Sequence, residues 1–397
     1  MSLFHGNRSL IEQARSLYVL IRRQEGITRQ MLSDQLEMPA TSLNRALDRQ
    51  LQLGLIEEYG FADSSGGRRP GLYRIVKQAY YLFGLDLSGA AGHLVLTDLS
   101  LQMVDQIDLP GIDQLLAEGL SDVICRSCRI IMDRQGLTAG RLLGLGIGWS
   151  SPGNRTAETV GAETDETAAA HGQPQDHETQ PGDHTALLAA FTEISTALGV
   201  PVYTLRGADA ALYAGLWQQN SLAAGTFLYL SAGRSIRYAM AVRGQLHEDG
   251  LTTDSIGDLI VPGPLRPEGQ RLDQIATIPA MVRRFRKSKS DKTLDWPAFC
   301  QAAESGKKKA GAIVTEAAHC MALAVQNMAI LTEGRYLLLG GQALFDLPVY
   351  ETAIRHELAI LAENGARIPL LLDLAYGYGI LAVGAAAYVL EMSLGQA

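Results

Sequence analysis

Residues 38–49 read Met38-Pro39-Ala40-Thr41-Ser42-Leu43-Asn44-Arg45-Ala46-Leu47-Asp48-Arg49. Proline disfavours helical backbone in the residue before it, so any helix entering this stretch stops there and a new one starts at about Ala40. Leu43, Ala46, Leu47 and Leu51 recur at helical spacing and form its buried side, leaving Thr41, Asn44, Arg45, Asp48 and Arg49 outside. Gly54 is a good stop for it. Upstream, Leu10, Ile11, Ala14, Leu17, Leu20 and Ile21 give an amphipathic helix over residues 7 to about 23. Thr28 can cap a second, short helix through Met31, Leu32 and Leu36 before Glu37-Met38-Pro39 breaks it. Downstream, LIEEY at 55–59 and LYRI at 72–75 read as short strands around SSGGRRPG at 64–71. Helix, short helix, tight turn, helix and β-hairpin is the order of a winged helix-turn-helix, expected over residues 1–78.

In that geometry the third helix enters the DNA major groove and its outer side chains reach base edges. Thr41 and Ser42 suit a phosphate or a thymine methyl, Asn44 suits adenine, and Arg45 and Arg49 suit guanine or phosphate. Arg68 and Arg69, at the hairpin tip, suit phosphates or a narrow minor groove. The bland alternative is a three-helix packing unit whose arginines are merely solvated. Helix order, turn and basic wing agree in favouring double-stranded DNA as the partner.

Working outward, charge changes sign along the chain. Residues 1–79 hold eleven Lys/Arg and eight Asp/Glu, whereas the remainder holds twenty-three basic and thirty-four acidic residues. A mildly basic module on an acidic body fits a nucleic-acid contact at one end. The 397 residues are two to three domains' worth of chain, and 47% hydrophobic with 19% charged is a globular composition. Four cysteines build no disulfide framework. The first residues show no signal-peptide pattern, and the uncharged run 374–390 is Gly- and Ala-rich and short for a span, so it reads as a buried core helix. A cytoplasmic protein without a membrane partner is expected.

The stretch 38–49 is similar to the recognition helix of the ROK family (repressor, open reading frame, kinase), and Gly67-Arg68-Arg69-Pro70 to that family's Gly-Arg-Arg-Pro signature. Residues 82–105 resemble the strand-turn-strand that opens the family's actin-like fold, and Gly144-Leu145-Gly146-Ile147-Gly148 through Ser151-Pro152-Gly153 resembles its next strand and Pro-Gly turn. Residues 200–215 sit where the family has a Glu-Asn-Asp motif, and LLLGGQ at 337–342 where it has a late strand with a diglycine. The resemblance implies an α/β protein: a winged helix-turn-helix before a two-lobed, sugar-kinase-like body. The lobes are expected at 79–201, joined by a C-terminal helix at 378–397, and at 202–377, with an acidic flexible insert at 154–184.

In the family's kinases the Asp of the Asn-Asp pair takes the sugar proton, a task that needs a carboxylate within hydrogen-bond reach. By register the triplet falls on Leu205-Arg206-Gly207, and glycine cannot act as a base. Asp209, two residues on, would point elsewhere. The phosphate turns read Asp86-Leu87-Ser88-Gly89-Ala90 and Ser231-Ala232-Gly233-Arg234-Ser235, with fewer glycines than the family pattern. No catalytic residue and no cofactor are therefore expected. The segment from Gly257 that matches the family's zinc site lacks cysteine, and no metal is expected. Cys125 and Cys128, without a second pair, read as neighbours on one helix face. His171, His177 and His184 lie in the insert, where a solvated polar tract is the simpler reading than a metal site. The basic run Arg283-Arg284-Phe285-Arg286-Lys287-Ser288-Lys289 reads as a solvated helix end before it reads as a DNA-flank contact.

Arg206, Asp209, His247, Ser255 and Asp258, with Glu248 and Asp254 nearby, can line a polar cleft for a small carbohydrate effector, and Arg206 suits an anionic one. The opposing reading is a vestigial cleft. The function implied is a sequence-specific transcriptional regulator of sugar-metabolism genes, a repressor acting as a homodimer or higher on a two-fold operator. The alternatives are a sugar kinase with an accessory DNA-binding domain, and a regulator controlled by a protein partner.

Overall fold

The computed structural model describes residues 3, 8–62, 69–88, 91–149, 181–218, 225–246, 255–263, 266–286, 294–373 and 377–395. The N-terminal module comprises α1 (Arg8–Arg23), β1 (Ile27–Thr28), α2 (Arg29–Leu36), α3 (Ala40–Gln52), β2 (Ile56–Phe61) and β3 (Gly71–Ile75). Thr28 Oγ1 accepts from the Met31 amide at 3.3 Å and starts α2, and Glu37 ends it in the left-handed region at φ 51°. The strands form an antiparallel sheet in the order β1-β3-β2. Helix order, capping residue and breaker all match the sequence expectation. The tip residues 63–68 lie outside the described residues, Arg68 with them.

The body opens with β4 (Tyr81–Asp86), β5 (Ala91–Asp98), β6 (Met103–Pro110), α4 (Ile112–Glu118), α5 (Leu120–Gln135), β7 (Leu142–Trp149), α6 (Pro181–Leu198), β8 (Val202–Arg206) and α7 (Gly207–Gln218). Its sheet runs β6-β5-β4-β7-β8, with β7 parallel to both neighbours. Alternation along the strands sends residues to two covered faces. Phe83, Leu85, Leu145 and Ile147 pack with α5 and α6 on one side. On the other, Gly84 and Gly146 let the last helix approach the sheet, since a Cβ on either would collide with the carbonyl oxygens of Ala382 or Ala385.

The second lobe holds β9 (Thr226–Ala232), β10 (Ile236–Val242), β11 (Gln245–Leu246), β12 (Ile260–Gly263), β13 (Arg266–Arg271), α8 (Asp273–Ala276), α9 (Ile278–Phe285), α10 (Trp296–Glu304), α11 (Lys308–Thr332), β14 (Gly334–Gly340), α12 (Gln342–Asp346), α13 (Pro348–Glu363) and β15 (Leu370–Leu372). Its sheet order is β11-β10-β9-β14-β15. By length and composition α11 could cross a membrane, yet most of it is buried in this lobe beside α13. The chain then returns as α14 (Ile380–Ser393) to the first sheet, the buried core helix anticipated for 374–390 in a shorter form.

Two sequence boundaries move. Val202–Arg206 was expected to open the second lobe, but β8 pairs with β7 in the first sheet, and the second sheet begins only at β9. The expected insert 154–184 ends inside α6, which starts at Pro181; residues 150–180, including His171 and His177, lie outside the described residues, as does the His184 side chain. Cys125 and Cys128 are buried on α5, and burial pushes both thiols up, which suits an inert pair. Of the basic run, Arg284 pairs with Glu316 and Arg286 Nε donates to the Leu294 carbonyl at 2.9 Å.

Candidate DNA interface and interlobe cleft

Leu43 and Leu47 anchor α3 in the module core, and buried Gln50 ties it to α1 by donating Nε2 to the Ala14 carbonyl at 2.7 Å. That fixes the outer face. Thr41 and Arg45 are exposed there, with Ser42, Asn44 and Arg49 half-buried. Asn44 turns its Oδ1 inward, where it finds no hydrogen-bond partner, so reading adenine through both amide atoms requires this side chain to rotate. Arg69 is exposed at the foot of the wing. Arg74 lies over the Tyr59 ring at 4.6 Å and its Nε donates to Glu57 at 2.7 Å, so it braces the wing.

The module is joined to the body through α1. Leu17, Tyr18 and Ile21 share one buried cluster with Leu99, Trp217, Leu390 and Leu394 of the first lobe. Polar contacts fix the angle of approach. Tyr18 donates its hydroxyl to the Leu99 carbonyl at 3.3 Å, and Arg22 donates to the carbonyls of Ser100 at 3.0 Å and Trp217 at 3.1 Å, with its guanidinium 4.8 Å above the Trp217 ring. Arg15 pairs with Glu391 of α14, whose carboxyl is pushed up by burial more than Arg15 pulls it down.

Between the lobes lies a cavity of about 290 Å³. The first lobe supplies Asp86, Ser88 and His93, the start of α7 supplies Gly207, and the β9–β10 hairpin supplies Ser231, Arg234 and Arg237. Asp86 and His93 are directly opposed across β4 and β5. The buried Asp86 accepts from the Ser88 amide at 2.8 Å and hydroxyl at 2.5 Å. Burial still raises its carboxyl above the usual range, against the lowering effect of Ser88, His93 and Arg237. Arg237 is held by the Ser235 hydroxyl, which accepts from its Nε at 3.1 Å. His93 shares Nδ1 with Asp108 at 2.9 Å.

The expected effector residues are placed differently. Arg206 and Asp209 form a two-point ion pair at 2.5 and 3.2 Å, next to Tyr238, and Asp209 is buried. Arg206, itself only half-buried, therefore spends its charge on Asp209. Asp258 pairs with Arg271, and neither it nor the Arg206–Asp209 pair is among the cavity-lining residues. Ser255 stands on the short helical turn Ser255–Asp258, with its side chain outside the described residues; His247, Glu248 and Asp254 are outside them altogether. His93 and Arg237 line the cavity instead and were not singled out by sequence, and Gln342, the last residue of the LLLGGQ stretch, lines it too. The one sequence signal for Arg237 is its place on a strand three residues after Arg234.

Two helices connect the cavity to the module. Gly207 and Ala208 at the start of α7, and Leu381 at the start of α14, line the cavity. Trp217 near the end of α7 and Glu391 near the end of α14 meet Arg22 and Arg15. The two helices pack closely, and at one point a Cβ on Gly384 would collide with the Ala210 carbonyl. A twelve-residue helix spans about 18 Å, so α7 bridges the cavity wall and the Arg22 contact.

No family model matches the chain. A 95-residue stretch, 23% of the chain, is 33% identical to a provisionally named xylose repressor of Caldicellulosiruptor sp. strain Rt8B.4, and the match spans 24% of that protein's length. Over 363 residues, 86% of each chain, the protein is 21% identical to the xylose repressor of Caldicellulosiruptor bescii. Among solved structures, a ROK family transcriptional regulator, a homolog of the E. coli MLC protein, superposes over 97% of each chain with a TM-score of 0.65 at 17% identity. The ROK hexokinase of Thermus thermophilus superposes over 77% of this chain and 97% of its own, with a TM-score of 0.53 at 19% identity. The fold class is thus a winged helix-turn-helix ahead of a two-lobed actin-like body. The likeness of fold to the ROK family regulator extends over 97% of the chain, N-terminal module included.

Proposed function

We propose that this chain is a cytoplasmic, sequence-specific repressor of sugar-metabolism genes, binding a two-fold operator as a homodimer, with a non-catalytic kinase-like body that senses a small carbohydrate in the cleft. The observation that carries the reading is α3. Its apolar side is locked into the module, while Thr41 and Arg45 stand exposed on the face a recognition helix turns to DNA. The names of the xylose repressors support the regulatory role. Gly207 at the register of the kinases' base, together with Asp209 already bound to Arg206, supports a body without phosphotransfer. A ligand drawing the lobes together would act on the module through α7 and α14, a coupling free energy between two sites.

Selection of random duplex DNA by the full-length protein tests the reading. The expected result is enrichment of one inverted repeat, with Arg45→Ala lowering affinity for it by about 5- to 150-fold, as one lost base contact of roughly 1–3 kcal/mol implies. Failure to enrich any motif, or transfer of phosphate from ATP to a hexose, overturns it.

A further inference from the structure

Two basic runs of the sequence meet on the outside of the second lobe. The first, Arg283-Arg284-Phe285-Arg286, ends α9, and the second, Lys307-Lys308-Lys309, opens α11. Lys309 joins them, its Nζ donating to the Phe285 carbonyl at 2.9 Å and lying 5.8 Å from the centre of the Phe285 ring. Arg284 is taken by Glu316 and Arg286 by the Leu294 carbonyl. Arg283, Lys307 and Lys308 are exposed and make no ion pair among the described residues. Of the acidic side chains nearby, Asp295 caps α10 by accepting from the Ala298 amide at 3.0 Å, and Glu304 stands exposed three residues before Lys307. The patch is thus net positive on a body with thirty-four acidic and twenty-three basic residues.

The surroundings of these cations narrow the partner. No large apolar side chain is exposed over residues 278–286 or 294–312. Protein interfaces centre on aromatic and apolar anchors and are poor in lysine, and a basic patch holds a protein on a membrane only beside an apolar or lipid anchor. Cations on long stems, without such an anchor, suit nucleic-acid phosphates, where binding gains from counterion release and requires no shaped pocket. We infer that Arg283, Lys307 and Lys308 form a second, sequence-independent DNA contact on the body, gripping phosphates of duplex outside the bases read by α3. The inference rests on the regulator reading only in making that duplex the one α3 has engaged.

The experiment measures the affinity of the full-length protein for a duplex of random sequence over a series of salt concentrations. Each neutralised phosphate steepens the fall of log affinity with log salt by about 0.9. The triple variant Arg283→Gln/Lys307→Gln/Lys308→Gln should therefore flatten that slope by about 2 to 3. Arg126→Gln/Arg335→Gln/Arg367→Gln, an equal charge loss at exposed arginines elsewhere on the body, should leave it unchanged. Equal flattening in both variants overturns the inference, because net charge alone would then be the cause. So does an unaltered slope in the patch variant, or a random duplex that the parent does not bind at low salt. Phosphatidylglycerol vesicles that retain the parent and not the patch variant, with the DNA slope the same in both, assign the patch to a lipid surface and overturn it too. A protein that selects an operator with the same slope in parent and patch variant loses this inference and keeps the regulator reading. One that selects no operator, yet has its slope flattened in the patch variant alone, does the reverse.

Discussion

The same tripeptide turns the chain at both ends of the β4–β5 strand pair. Asp86-Leu87-Ser88 follows β4 at the cleft, and Asp98-Leu99-Ser100 follows β5 at the DNA module. Locally the two are near copies: Asp98 Oδ1 accepts from the Ser100 amide at 2.8 Å and hydroxyl at 2.6 Å, as Asp86 Oδ1 does from Ser88 at 2.8 and 2.5 Å. This is the ordinary preference of aspartate for backbone groups two residues on. Their surroundings differ. The Asp98 turn is covered by α1, with its Leu99 and Ser100 carbonyls accepting from Tyr18 and Arg22, and Asp98 takes a third bond from the Gln102 amide at 3.0 Å. The Asp86 turn faces a cavity, with Ser88 on its wall beside Gly207 at the start of α7. One local motif thus serves as a joint where α1 docks on it and as part of a cavity wall at the other end of the strand pair.

The sharpest way to break this comparison is to cut the link between the two ends. Gly384→Leu forces α14 off α7, and overpacking against a backbone carbonyl should cost about 3 kcal/mol, with both turns affected in one urea transition. A variant as stable as the parent would show that the helices are not packed so closely. Next, Asp98→Ala removes three hydrogen bonds under a docked helix and should cost about 2 kcal/mol, whereas Asp86→Ala, at a cavity, should cost less than half of that. Equal losses in urea unfolding would mean that the turns are equivalent after all. Arg22→Gln gives up two carbonyl contacts and the Trp217 stack, and a loss of about 1 kcal/mol should appear as earlier protease release of the module from an intact body.

The smallest effect is a pH dependence at each end. Asp86 at the cleft and Glu391 at the joint both have folded-state pKa values raised by burial. The folded state therefore holds these protons more tightly than the unfolded chain. Their favourable contribution is complete below the unfolded carboxylate range and is lost as pH climbs through the folded-state values. Melting temperature should fall across that window, less steeply in Asp86→Asn for the cleft share and in Glu391→Gln for the joint share. A profile unchanged in both variants would show that neither carboxyl is the source.

Legibility in the sequence followed the range of the interactions. The winged module was readable because each of its signals acts within a few residues: Thr28 caps, Pro39 interrupts, Leu43 and Leu47 repeat at helical spacing, and Gly54 stops. The glycine alternation of Gly144, Gly146 and Gly148 marked a strand, yet only the fold shows Gly146 admitting α14. The assignment of Val202–Arg206 to the second lobe failed because β8 pairs in parallel with a strand more than fifty residues earlier, a partnership with no local trace. For the cleft, sequence register pointed at Arg206 and Asp209, which satisfy each other, and passed over Arg237, which reaches the cavity from the opposite lobe.

By itself the sequence determined the order of elements in the N-terminal module and which face of α3 is buried, since each depends on residue type at a fixed short spacing. Only the tertiary structure decided which residues line the cleft, where the lobes divide, and that α7 and α14 run from the cavity wall to Arg22 and Arg15. Ion pairing, burial and helix contact are properties of neighbours brought together from distant positions, and one strand of residues carries no record of which neighbours those will be.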